Sequence, residues 1–316
     1  MPAFLLAPVR AALALLLFIL NTILWCALFY AILPLKLILP HSGGRACLSR
    51  LLIRVAQTWV DGNNAILDLT QRIEWDIQGL EGLQRDAWYL VGCNHQSWVD
   101  IVVLQRVFNR RIPFLKFFIK QPLIWAPLLG GVWWALDFPF MQRHSADYLA
   151  QHPEARNQDW ETTRRLCERF RDTPTTILNF LEGTRFRPDK HARQHSPYRR
   201  LLRPKSGGLG FVLEALADRL HTLLDVTLIY PDGRCAFLDL LSGRISRVIV
   251  RVRPVPIPAE LLGGDYRGDP EFRAELQRWV GQLWADKDAL IEQVSTATEK
   301  PFCLETKHSV SNQQPG

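Results

Sequence analysis

The stretch Val91–Ile101, V-G-C-N-H-Q-S-W-V-D-I, decides how this chain is read. The apolar run Trp88–Val91 leads into it and the apolar run Ile101–Leu104 follows it. The first run has the character of a buried strand and the second opens a helix. His95 then falls at a strand-to-helix turn, where a scaffold holds a side chain within reach of substrate. Asp100 lies about one helical turn further on, near enough for its carboxylate to bend back to the imidazole. Such a carboxylate fixes the ring tautomer and stabilises the cation formed when the ring takes a proton. His95 is therefore a candidate general base. The competing reading is a half-buried histidine beside a helix whose first turn happens to contain an acid.

Working outward, 316 residues with a 48% hydrophobic fraction suffice for a sizeable α/β domain plus an appendage. The formal charge of +7 suits anionic partners such as a lipid head-group surface or a phosphorylated substrate. Nucleic acid is disfavoured, because the aromatic-basic modules that read bases are not visible. Eleven tryptophans, several near apolar segments, fit a protein that meets the lipid interface. The six cysteines are scattered singly with no C-x-x-C pair, which indicates neither a zinc site nor a disulfide framework and fits a reducing compartment.

From Ala11 to Leu35 there is no charged residue, and a hydrocarbon core needs about 20 such residues in a helix. No small-x-small cleavage site follows, so the run reads as a retained anchor rather than a signal peptide. Basic residues cluster after it (Lys36, Arg45, Arg50, Arg54) and only Arg10 precedes it, which places the body on the cytoplasmic side. Pro34 would end the span or bend it into a second, interfacial helix, and Leu48–Leu69 reads as such a helix.

Downstream, Arg72–Ile77, Thr175–Phe180, Val226–Tyr230 and Val248–Val255 read as strands. Gln158–Arg171, Gly208–Leu224 and Asp269–Ile291 read as helices. Between them, Ile112–Phe140 interleaves aromatics with Lys116 and Lys120 and carries several prolines and glycines. That mixture suits either a surface dipping into head groups, the wall of an acyl-chain tunnel, or an aromatic core. Strands alternating with helices predict an α/β fold, a mainly parallel sheet flanked by helices and preceded by the N-terminal transmembrane or interfacial segment. The expected division is 1–70 as membrane anchor and interfacial helix, 71–300 as α/β domain and 301–316 as disordered tail. In such sheets sites gather at the carboxyl ends of strands. Both His95 and the run Glu182-Gly183-Thr184-Arg185 fall there.

Four pieces line up: N-H-Q-S-W-V-D at Asn94–Asp100, D-F-P-F-M-Q-R at Asp137–Arg143, N-F-L-E-G-T-R-F at Asn179–Phe186 and D-V-T-L-I-Y-P at Asp225–Pro231. In this order and spacing they resemble the four blocks of the glycerolipid acyltransferases, the lysophosphatidate acyltransferases and their relatives. Within that family the chain is similar to a poorly assigned bacterial inner-membrane branch and to the lysocardiolipin type. One departure is Leu181, where the family usually has proline before the glutamate.

The resemblance implies an acyltransferase with His95 as base and Asp100 as its orienting acid. Glu182, Gly183, Thr184 and Arg185 would bind the acceptor, with Arg143 at the same phosphate site. Lys205, ahead of a helix start at Ser206-Gly207-Gly208, is a further phosphate candidate. The expected partners are a lysophospholipid acceptor, foremost 1-acyl-sn-glycerol 3-phosphate, the membrane, and acyl-CoA or acyl-carrier protein as co-substrate. No metal or prosthetic group is expected, and the expected location is the cytoplasmic side of a bacterial inner membrane. Two rivals stand beside this reading. Cys93 and His95, two apart in a strand, could form a covalent thioesterase or acyl-enzyme transferase. Alternatively, the chain is a non-catalytic, membrane-tethered lipid-binding protein. No G-x-S-x-G elbow is present.

Overall fold

Strand β2 (Tyr89–Cys93) lies inside a six-stranded sheet, and all five of its residues are buried. The other strands are β1 (Glu74–Gln78), β3 (Leu115–Phe117), β6 (Thr176–Phe180), β7 (Thr222–Ile229) and β8 (Arg247–Pro256), in the order β1-β8-β7-β2-β6-β3. Two short strands, β4 (Ile119–Lys120) and β5 (Phe140–Met141), pair separately. Every neighbouring pair in the large sheet is parallel except β7 with β8. The computed structural model describes residues 3–38, 43–141, 170–171 and 173–298. The expected helix over 158–171, all but its last two residues, and the expected tail lie outside these.

A parallel strand covered on both faces needs apolar side chains on both, so β2 shows no polar alternation. Tyr89, Val91 and Cys93 face α3 (Val99–Phe108) and Leu67 of α2 (Gly43–Thr70). Leu90 faces α6 (Gly207–Leu216) and α8 (Pro270–Thr298). The second face is pinned by a buried ion pair. Lys287 of α8 meets Asp225 of β7 at 2.6 Å and donates to Val226 O at 2.6 Å and Thr227 Oγ1 at 3.1 Å. Arg253 of β8 reaches the other oxygen of Asp225 at 3.0 Å.

Several sequence expectations change in detail. The helix read over Gly208–Leu224 stops at Leu216, because Leu223 and Leu224 pair with Leu90 and Val91 in the sheet. The polar run Asp218-Arg219, with His221 after it, marks this break in the sequence, between the end of the helix and the start of β7 at Thr222. Two short helices, α5 (Pro188–Gln194) and α7 (Phe237–Leu241), were not read from the sequence. Pro34 lies within α1 (Ala3–Ile38) and does not end it. Cys26, Cys47 and Cys93 are free thiols, but Cys235 is disulfide-bonded, a bond that the single spacing of the cysteines did not indicate. Disulfide pairing follows from spatial approach, which sequence spacing does not reveal.

The aromatic segment splits between its alternatives. Phe138 packs edge-to-face with Phe114 and Phe117, at 6.3 and 5.0 Å, in a core shared with Phe29, Leu33 and Leu52. Trp125, by contrast, is 87% exposed, and Trp134 of α4 (Leu129–Ala135) is half exposed.

Helices α1 and α2 form a hairpin joined by polar contacts. Asn21 Nδ2 donates to Asn63 Oδ1 at 2.9 Å and Trp59 O at 3.0 Å, and Trp59 Nε1 donates to Thr22 Oγ1 at 3.1 Å. Gly62 permits this approach, since a Cβ there would lie 2.3 Å from Asn21 Oδ1. Residues Ala7–Lys36 are long and apolar enough to cross a bilayer. Both ends of this run nonetheless touch the α/β domain. Arg10 packs on Gly243, and Ala11, Ala14 and Phe18 pack with Leu241. At the other end Tyr30 Oη donates to Leu128 O at 2.7 Å, and Lys36 Nζ to Ala135 O at 2.8 Å.

Removing one member of a buried ion pair leaves the other charge poorly compensated. Lys287→Ala is therefore expected to lower stability by about 3 kcal/mol, somewhat offset by Arg253 remaining on Asp225. Denaturant unfolding of the detergent-solubilised protein measures this. An unchanged midpoint would show that the pair contributes nothing net.

Candidate active site

The loop between β2 and α3 is held by its own polar side chains. Asn94 clamps the backbone of Leu228 in β7, accepting from its N–H at 2.8 Å and donating to its carbonyl at 2.9 Å. Gln96 Nε2 donates to the same carbonyl at 2.8 Å. Ser97 Oγ donates to Cys235 O and accepts from Val99 N at 2.9 Å, which satisfies an open amide of the helix start. Trp98 alone points outward, 58% exposed.

This anchoring aims His95 and Asp100 at each other. His95 Nδ1 lies 2.8 Å from Asp100 Oδ2, and the carboxylate is completely buried. The same oxygen accepts from Gln96 N at 2.6 Å and Ser97 N at 2.9 Å. The other oxygen, Oδ1, accepts from Tyr230 Oη at 2.7 Å. A carboxylate oxygen facing Nδ1 assigns the proton of the neutral ring to that nitrogen. Nε2 is then the nitrogen left to exchange protons. The ring is fixed from one side by Phe180, stacked at 3.9 Å and 16°. It is still 16% exposed.

The second motif is built onto the first. Phe186 N donates to His95 O at 2.7 Å, tying the loop after β6 to the histidine loop. Gly183 adopts φ +67°, a left-handed conformation that favours glycine. The departure at Leu181 has a structural use: its N–H, which proline would lack, donates to Cys93 O at 3.3 Å, and its side chain is buried in the core. Lys205 N donates back to Leu181 O at 2.7 Å, and the Lys205 side chain lies over Gly183, 3.2 Å from where a Cβ would be. The Arg185 guanidinium stands 5.9 Å from the centre of the Trp98 ring. Lys190 donates to Thr184 Oγ1 and Arg185 O, and its amine is shifted down by burial and by the charges of Arg187 and Arg185.

The structure thus gathers His95, Asp100, Glu182, Gly183, Thr184, Arg185 and Lys205 at one end of the sheet. Arg143 lies outside the described residues. Glu182 is wholly buried, and neither carboxyl oxygen has a well-formed hydrogen bond. Burial pushes its pKa well above the ordinary carboxyl value; the Asp100 charge adds to this, while the backbone near His95 and Leu202 and the Lys287 charge pull the other way. Cys93 is also buried, in the core, and burial raises its thiol well above the usual range. A buried, protonated thiol is a poor nucleophile, which weakens the covalent rival. Among the described residues no group of three or more His, Cys, Asp or Glu could hold a metal ion. Tyr230 was quoted within the fourth motif but not singled out. Its position at the end of β7, where that motif passes the histidine loop, was the available signal.

Residues 74–235, just over half of the chain, match the model of the acyltransferase family. The chain belongs to this family. It is 27% identical over 256 residues to the 2-acyl-1-lysophosphatidylinositol acyltransferase of Saccharomyces cerevisiae, covering 70% of this chain and 64% of that one. It is also 27% identical over 188 residues to the 1-acyl-sn-glycerol-3-phosphate acyltransferase gamma of Mus musculus, covering 56% and 45%. The chain therefore spans less than two thirds of the length of these relatives. Its fold is similar to that of the 1-acyl-sn-glycerophosphate (LPA) acyltransferase, PlsC, of Thermotoga maritima. The TM-score is 0.51 at 17% identity, covering 88% of this chain and 98% of the other.

The raised pKa of Glu182 bears on stability. A carboxyl that binds its proton more tightly when folded contributes stability below its unfolded value, near 4.5, and that contribution fades as pH rises through the folded value. Glu182→Gln, which keeps the shape of the protonated acid, is expected to flatten this part of the stability–pH curve. Melting temperatures of both proteins from pH 4 upward, taken at about half-unit steps, test it. Parallel curves would mean that Glu182 is ionised in the native state.

Proposed function

We propose that this protein is a membrane-bound O-acyltransferase. It moves a fatty acyl group from acyl-CoA or acyl-carrier protein to the hydroxyl of a lysophospholipid, foremost 1-acyl-sn-glycerol 3-phosphate. The observation that carries the reading is the 2.8 Å contact of His95 Nδ1 with buried Asp100, beside the loop that presents Arg185.

A thioester is already activated, so the site needs a base and a means of holding both substrates in line. His95 Nε2 takes the proton of the acceptor hydroxyl as the oxygen attacks the thioester carbonyl. Asp100 stabilises the imidazolium that results. Collapse of the tetrahedral intermediate breaks the C–S bond, and the departing thiolate recovers the proton from the imidazolium. The products are an ester and a free thiol, with the protein unchanged. The phosphate of the acceptor would be held by Arg185, whose guanidinium offers paired donors, together with Lys205; Arg143 is assigned to the same phosphate by the family resemblance alone. Gly183 and Thr184 shape that loop, while Glu182 is wholly buried.

Membrane attachment follows from α1, but in a form other than a simple crossing. From Arg10 to Lys36 a helix rises about 39 Å, enough to span a hydrocarbon core of about 30 Å. Yet both ends touch one domain, which cannot lie on both sides of the bilayer. In the proposed arrangement the hairpin lies along the membrane face, with Leu16, Leu20 and Leu24 of α1 exposed to lipid and Trp125 and Trp134 beside it.

His95→Ala is expected to lower acyl transfer by about 100- to 10,000-fold in an otherwise intact protein, and Arg185→Ala to raise the acceptor KM by about tenfold with a smaller change in kcat. Labelled acyl-CoA and a panel of lysolipids, followed by mass spectrometry, read both effects. Undiminished transfer by the His95 variant would end the mechanism. For the attachment, single cysteines at Val9 and Ile38 should react with an impermeant maleimide from the same side of sealed vesicles. Reaction from opposite sides would establish a crossing.

A further inference from the structure

We propose that Tyr230 is a positioning residue of the His95–Asp100 pair: its hydroxyl holds Oδ1 of Asp100 so that Oδ2 is presented to the imidazole. This rests on the acyltransferase reading above and extends it to a residue outside the two motifs that carry the chemistry.

The geometry divides the carboxylate's two oxygens between two tasks. Oδ2 is shared by His95 Nδ1 and the amides of Gln96 and Ser97, at 2.8, 2.6 and 2.9 Å. Oδ1 has one hydrogen-bond donor, Tyr230 Oη at 2.7 Å. Asp100 is fully buried and Tyr230 nearly so. No solvent replaces the phenol if it is removed, so the bond cannot be exchanged for one to bulk water. Tyr230 also stands at the end of β7, immediately after the segment whose Leu228 is clamped by Asn94 and Gln96. The same strand therefore fixes the loop's backbone and the acid's free oxygen. Burial, reinforced by the Asp100 charge, raises the phenol well above its ordinary value, so it remains a donor across the working range.

A donor to a carboxylate stabilises its ionised form and lowers the pair's affinity for a proton. The other titratable groups facing this centre are Cys93 of β2 and Glu182 after β6. Asp225 of β7 is further removed and compensated by Lys287 and Arg253. Removing the hydroxyl changes none of these. It leaves Oδ1 buried without its donor, so the His95–Asp100 pair should bind its proton more tightly.

The test is the pH dependence of kcat/KM for acyl transfer from acyl-CoA to lysophosphatidate, with the full-length protein in mixed micelles. Tyr230→Phe is expected to move the acidic limb upward by about one pH unit. At neutral pH kcat should fall by about tenfold, with both KM values within about twofold of wild type. Because the variant could lose packing instead, 3,5-difluorotyrosine placed site-specifically at 230 supplies the opposite perturbation. Its more acidic phenol donates more strongly and should move the limb downward. A limb unmoved by either change, or a loss confined to KM, would overturn the inference. His95→Ala keeps the two readings separate: activity surviving in that variant defeats the enzymatic reading, whereas its loss with unshifted Tyr230 profiles defeats only the positioning role.

Discussion

A carboxylate withdrawn from water must be matched by donors, and Asp100 is matched by four drawn from two parts of the chain. Two are amides of its own loop, one is the imidazole it serves and one is the phenol of a strand 130 residues away. The loop can offer those amides only because Asn94 and Gln96 fasten it to Leu228 and Ser97 to Cys235. The site is therefore an outcome of sheet order: β7 must neighbour β2 for the acid to be satisfied.

The same neighbour relation on the other side of β2 brings in the second motif. Strand β6 runs parallel to β2 in a register that pairs Cys93 with Phe180, so both strands end at the same level. Phe180 stacks on the imidazole, and Phe186 donates to the His95 carbonyl. Leu181 shows how a departure from a familial pattern is absorbed. The chain gains an amide that continues the ladder to Cys93, while the left-handed Gly183 still turns the loop.

Electrostatics around this end of the sheet divide sharply by burial. Glu182 is enclosed and pushed toward its neutral form, while Asp225 is enclosed but paired with Lys287 and Arg253. Cys93 lies near both and is kept as a thiol. What remains for chemistry is the partly open imidazole and the cationic loop carrying Arg185 and Lys190, an arrangement suited to an anionic acceptor.

Much of this was legible in the chain. Buried parallel strands need unbroken apolar runs, so β2 announced itself, and the H-x4-D spacing placed an acid one turn from a histidine at a strand end. The length and composition of α1 marked a helix long and apolar enough to cross a bilayer. Three things were decided only by tertiary structure. That Leu223 and Leu224 belong to β7 and not to the helix depended on their pairing with Leu90 and Val91. That Cys235 is disulfide-bonded depended on spatial approach, which its place in the chain does not reveal. The bond from Tyr230 to Asp100 depended on β7 lying beside β2, and a hydrogen bond between residues so far apart in the chain leaves no local periodicity to read.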